Sequence, residues 1–302
     1  MNKSVSPKMV VGLVWLIVLL TSALPKVILQ EIFGQTITAQ TQTLIGLGVI
    51  GLGWLATLIW GDLRGLHPFL SVLGVWIAVQ WQVFKLLGEL PLVRGWLSNP
   101  AFGVALLAEL ALKLLITLVV IGTLLGLFKK RADFYLVKGD LAAPATPVRW
   151  LGISEGDRWS AVGPWATVFI SMGTLAFLVI AGRPSLNTLA QALPYLPVVL
   201  LAAALNAFNE EVTYKASFLS VLDGPVGPRQ ALYMTAVYFG IGHFYGVPYG
   251  VVGVLLAGFL GWFLARSMQD TRGMFWAWFI HFWQDVWIFG FMAIGSIIPG
   301  GG

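Results

Sequence analysis

The sequence predicts an all-α, polytopic membrane helical bundle of about eight or nine transmembrane helices, and two observations carry that expectation. Of the 302 residues, 58% are hydrophobic and only 10% are charged, whereas a soluble domain carries about a quarter charged residues. The apolar residues also fall in runs of about 20, the length that crosses a hydrocarbon core of roughly 30 Å.

In chain order the expected spans are Met9 to Leu29, Thr43 to Trp60, Leu66 to Leu87, Pro100 to Phe128, Pro164 to Ala181, Leu193 to Leu222, Gln230 to Tyr245, Val247 to Arg266 and Gly273 to Ile298. The first run follows Lys3 and Lys8 in the charge order of a signal peptide. Its length, and the lack of a small-residue cleavage site after Ala23, favour a retained span. Lys129, Lys130 and Arg131 form the strongest basic cluster and place the end of the fourth span in the cytoplasm. Alternation then puts the N-terminus inside, in agreement with Lys3 and Lys8, and fits a multi-pass protein of the cytoplasmic membrane.

The organisation expected is a four-helix region over 1–128, a basic, interfacial connection over 129–163 and a second transmembrane region over 164–302. Pro144, Pro147 and Gly139-Asp140 make part of the connection turn or extended chain. Its later part, Arg149 to Trp165, is able to lie along the membrane surface, with Trp150, Trp159 and Trp165 at the interface.

Several function classes drop out early. Cysteine is absent, which removes thiolate nucleophiles, disulfides and zinc-thiolate sites. The formal net charge is +5, but the basic residues sit in short clusters between apolar runs, as in cytoplasmic loops and unlike a nucleic-acid surface. Glu109 and Lys113 are four residues apart and can neutralise each other on one helix face. Lys85 is near enough to a span end to snorkel, and His67 reads as an interfacial residue.

Three elements remain unexplained: Glu210-Glu211 with Lys215, Phe239 to His243, and His281 with Asp285. Ionisable groups at membrane depth are costly and usually pair or line a cavity. At about 1.5 Å of rise per residue, His281 lies roughly 12 Å from the cytoplasmic end of its span and Glu210 and His243 near 20 Å, close enough for one shared layer. His281 and Asp285 share a helix face. Glu210 and Glu211 point about 100° apart, so the expected division pairs Glu211 with Lys215 and leaves Glu210 as the reactive carboxylate. Gly240 and Gly242 would let a backbone or substrate approach His243. Packing alone would close the glutamates with Lys215, Asn206 and Asn209.

The ordered pattern E-E-x-x-x-K, F-x-x-x-H, H-x-x-x-D resembles the signature of the CAAX protease and bacteriocin-processing family, which includes the type II CAAX prenyl endopeptidases. The resemblance spans roughly Leu193 to Gly290, with Lys215 standing where the family usually has arginine. It implies an intramembrane endopeptidase acting on membrane peptides or lipidated proteins in the bilayer. Glu210, His243, His281 and Asp285 would be catalytic, with Glu211 and Lys215 in support. Glu210 and His243 would activate water, and His281 and Asp285 would stabilise the oxyanion. The residue types equally permit Glu210, His243 and His281 to hold a divalent metal such as zinc. Two other classes stay open: a catalytically weakened binding or scaffold module, and a proton or ion carrier using the same polar cavity.

Overall fold

The computed structural model describes residues 5–128 and 130–297; Lys3, Lys129 and Ile298 lie outside them. Helices form throughout, and among the described residues there is no strand, only two isolated bridges within the 130–158 connection. The long helices are α1 (Pro7–Thr21), α3 (Ala39–Ile59), α4 (His67–Gln82), α6 (Phe102–Phe128), α7 (Trp159–Gly182), α9 (Leu196–Glu210), α10 (Ser217–Val226), α11 (Pro228–Gly242), α12 (Val251–Thr271) and α13 (Phe275–Ile297). Shorter pieces are α2 (Leu24–Val27), α5 (Pro91–Leu97) and α8 (Leu186–Ala192).

Among the described residues six runs are long and apolar enough to cross a membrane, and a seventh if the bent pair Pro7–Thr21 and Leu24–Ile32, angled at 57°, counts as one span. The expected number is eight or nine, and two helices account for the difference from this count by length and composition. α11 has 15 residues, or about 22 Å, short of the roughly 30 Å core. α13 is long enough, but His281, Gln284 and Asp285 dilute its apolar character.

Boundaries differ elsewhere for visible reasons. α3 begins at Ala39, capped by the Thr38 side chain, which accepts from the Thr41 backbone N–H. α7 begins at Trp159, with Pro164 carried inside the helix. Trp159 is also buried, with its indole N–H donating to Asp270 Oδ2 at 3.0 Å, so it is not the interfacial anchor expected. Trp150 is, by contrast, 70% exposed and stacks on Trp262. His67 stacks on Trp54 and contacts Thr57 Oγ1 at 2.9 Å.

One end of the bundle gathers the connections that frame the rest. The backbone N–H of Val5 donates to Asp62 Oδ2 in the α3–α4 turn, and the Tyr135 hydroxyl donates to Asp223 Oδ2 near the end of α10. Burial, reinforced by Asp223, raises the Tyr135 phenol well above its ordinary pKa, so it remains a donor. Gly139 packs directly on Gly273, where a Cβ would meet backbone at 2.8 Å or less. Asp140 N–H to Thr271 O and Met274 N–H to Val137 O close the same contact. The 130–158 connection is thereby fastened to the α12–α13 turn.

Candidate active site

α9 runs into a π-helical segment, Glu211–Ala216, before α10 resumes the regular helix. Such insertions widen the helix locally and occur often at functional sites. α9 is pinned on two sides: Asn209 Nδ2 donates to Leu110 O on α6, and the Trp278 indole on α13 donates to Ala204 O. Thr213 in the π segment meets Thr117 of α6 at 3.1 Å.

These contacts bring the two glutamates to different surroundings. Glu210 lines a cavity of about 70 Å³ together with Lys113, Asn209, Thr213, Tyr214 and Trp76. Glu211 is fully buried, and its Oε1 lies in an ion pair 2.8 Å from Lys215 Nζ and in hydrogen-bond contact 2.7 Å from His281 Nδ1. Lys215, equally buried, also stands 3.5 Å above the Phe239 ring centroid, a cation–π contact that offsets part of its desolvation. Glu211 Oε2 is buried without a hydrogen-bond partner.

His281 turns its other nitrogen to the site. Its Nε2 lies 3.7 Å from Glu210 Oε2 and 3.6 Å from Asp285 Oδ1. Asn206 ties the two carboxylates together, its Nδ2 donating to Asp285 Oδ2 at 2.9 Å and to Glu210 Oε1 at 3.3 Å. Sequence reasoning treated Asn206 as packing, although its position one turn before Glu210 was the available signal. Lys113 was likewise read only as the partner of Glu109. That ion pair exists at 2.8 Å, yet Lys113 also lines the cavity of Glu210.

His243 caps the end of α11 and is partly exposed. Its Nδ1 lies 2.8 Å from Phe239 O. A carbonyl only accepts, so Nδ1 carries the proton and Nε2 of the neutral ring is left as an acceptor. Gly240 lets α11 and α12 touch, since a Cβ there would meet Val254 O at 2.7 Å and Gly258 Cα at 2.9 Å, whereas Gly242 faces open space.

Among the described residues no three His, Asp or Glu side chains are grouped to hold a metal ion. Glu210 and His281 approach each other, and His281 holds Glu211 through Nδ1.

Residues 192–287 match the family model described as "Rce1-like: Type II CAAX prenyl endopeptidase Rce1-like". This part of the chain is similar to that family. The Rce1-like segment holds Glu210, His243, His281 and Asp285 and covers about a third of the chain. Neither the curated proteins nor the solved structures yield a match. The chain's long apolar helices are those of an integral membrane protein, and the segment within it is similar to the type II CAAX prenyl endopeptidases.

Proposed function

We propose that the chain is an intramembrane endopeptidase that hydrolyses peptide bonds of membrane-associated peptides or lipidated proteins with a water activated by Glu210 and His243. The observation that carries this reading is the division of the glutamates. Glu211 is committed to Lys215 and His281, while Glu210 faces the cavity 3.7 Å from His281 Nε2.

In the proposed step Glu210, or His243 through its free Nε2, takes a proton from water as the oxygen attacks the substrate carbonyl carbon. The carbonyl π electrons move onto oxygen. His281, held by Glu211 through Nδ1, presents Nε2 to that oxyanion and donates when the ring carries both protons. Asp285 accepts from Asn206 and faces His281 Nε2, which suits it to orient the imidazole; as a carboxylate it has no proton to donate. Collapse of the tetrahedral species breaks the C–N bond, and the proton held by the base passes to the leaving amine. No step is routed through a metal.

Orientation follows from charge. Arg64, Lys130, Arg131, Arg229 and Arg272 lie at the end that carries the α6–α7 connection, against Lys26, Lys85, Arg94 and Arg183 at the other. We assign the first end, with the N-terminus, to the cytoplasm.

The test is hydrolysis by the purified full chain of two quenched-fluorescent peptides, one carrying a farnesylated CAAX terminus and one an unmodified hydrophobic leader. Cleavage of either that disappears with Glu210→Ala supports the proposal. Cleavage indifferent to Glu210 overturns it, and Glu210-dependent proton flux without peptide cleavage would make the chain a carrier.

A further inference from the structure

The leading helices add a feature that the catalytic residues do not explain. α3 and α4 are joined by the Gly61–Leu66 turn, which packs against α10 at the end of the bundle holding the α6–α7 connection. Their other ends stand a helix length away, about 31 Å for the 21 residues of α3. At those far ends a groove of about 460 Å³ opens between them, bordered by Gln42, Thr43, Gln80, Trp81 and Lys85. It shares Trp76, Gln80 and Phe84 with the cavity of Glu210. The groove thus adjoins the cavity of the candidate catalytic carboxylate, with these three side chains as a common wall.

A groove of about 380 Å³ beside the α6–α7 connection is bordered by Leu136, Phe208, Met274 and Trp278 and touches none of the site residues.

The chemistry of the first groove favours an extended peptide over a lipid chain. Two glutamine amides, Gln42 and Gln80, and two threonine hydroxyls, Thr21 and Thr43, line it within otherwise apolar spans. An unfolded peptide backbone in a membrane needs partners for its N–H and C=O groups, and an acyl chain has no use for them. We infer that substrate reaches Glu210 as an extended peptide along the groove between α3 and α4, from the side of the membrane opposite the α6–α7 connection. This rests on the protease reading and adds a direction and a binding surface to it.

The chain has no cysteine, so single-cysteine variants report cleanly. Gln42→Cys, Gln80→Cys and, at the exposed Lys138 on the other end, Lys138→Cys would be reconstituted in vesicles and treated with a membrane-impermeant maleimide. Gln42→Cys and Lys138→Cys are expected to label from opposite sides. In a Glu210→Gln background, the two peptides named above, at several times their Kd, should slow labelling of Gln80→Cys about fivefold and leave Lys138→Cys unaffected. A bulky maleimide on Gln80→Cys should cut cleavage by about tenfold or more against the same variant unlabelled. Labelling of Gln42→Cys and Lys138→Cys from one side, or peptide protection at Lys138→Cys in place of Gln80→Cys, overturns the route. So does a modified Gln80→Cys that cleaves at its unlabelled rate while Glu210→Ala is inactive, an outcome that leaves the protease reading standing. Cleavage by Glu210→Ala removes the protease reading instead, and the sidedness of labelling still decides where the groove opens.

Discussion

Glu211 Oε1 lies 2.7 Å from His281 Nδ1, across 70 residues of sequence, and both side chains are sealed from solvent. A carboxylate on one imidazole nitrogen fixes what the other nitrogen offers, as it does in catalytic and metal-binding histidines. Glu211→Gln keeps the shape and removes the charge. The expected result is a fall in kcat of about 10–100-fold, the usual cost of losing an orienting partner. An unchanged kcat would show that His281 needs no orientation by Glu211.

The same glutamate also neutralises Lys215, so stability and activity should separate. Breaking a buried pair from one side costs about 3–5 kcal/mol, while removing both charges is often neutral. Glu211→Gln should therefore lower the thermal midpoint in detergent, and adding Lys215→Met should restore the midpoint without restoring cleavage. Recovery of cleavage in the double variant would contradict the role given to Glu211.

Lys215 reaches one oxygen of Glu211 and leaves Oε2 without a hydrogen-bond partner. Arginine presents a planar fork that can meet both oxygens. Lys215→Arg is expected to raise the thermal midpoint with a gain of about 1 kcal/mol and to retain cleavage. A lowered midpoint would mean that the space beside Phe239 is fitted to lysine.

Asn206 joins Glu210 to Asp285 through one amide nitrogen. Asn206→Ala should reduce kcat by about tenfold or more with little change in KM, because it disturbs the reacting groups and not the groove. A rise in KM at constant kcat would assign Asn206 to substrate binding.

Packing around the site makes its own contrast. Gly240→Ala drives a methyl group into Val254 O and Gly258 Cα and should cost about 1–3 kcal/mol. Gly242→Ala meets nothing within 4 Å and should leave the thermal midpoint near that of the unsubstituted chain. Equal effects would show that the α11–α12 contact is not set by Gly240.

The sequence made some of this legible because charge in an apolar helix has few explanations. Glu210, Glu211, Lys215, His281 and Asp285 stood out on that ground, and four-residue spacing was enough to place His281 and Asp285 on one face. The π-helical stretch Glu211–Ala216 could not be read, since Val-Thr-Tyr fits a regular helix as well. Lys113 and Gln80 were hidden for a different reason: their importance comes from neighbours about a hundred residues away or more, which close the Glu210 cavity around them. Trp159 misled because a tryptophan beside a span normally marks the interface, while here Asp270, 111 residues on, draws it inward. The expected span count and the count by length and composition part at α11, which stops at Gly242 after 15 residues.

The central claim is that Glu210, and not Glu211, is the carboxylate that acts on water. The most direct measurement compares Glu210→Gln with the unsubstituted full chain, both reconstituted in lipid, for the rate of peptide hydrolysis and for the thermal midpoint. Glu210 is partly exposed to its cavity, with 18% of its side chain accessible, so the exchange should leave the midpoint nearly unchanged while lowering kcat by about 10²–10⁴-fold, the range of a lost general base. Hydrolysis at the unsubstituted rate by a folded Glu210→Gln chain would contradict the account.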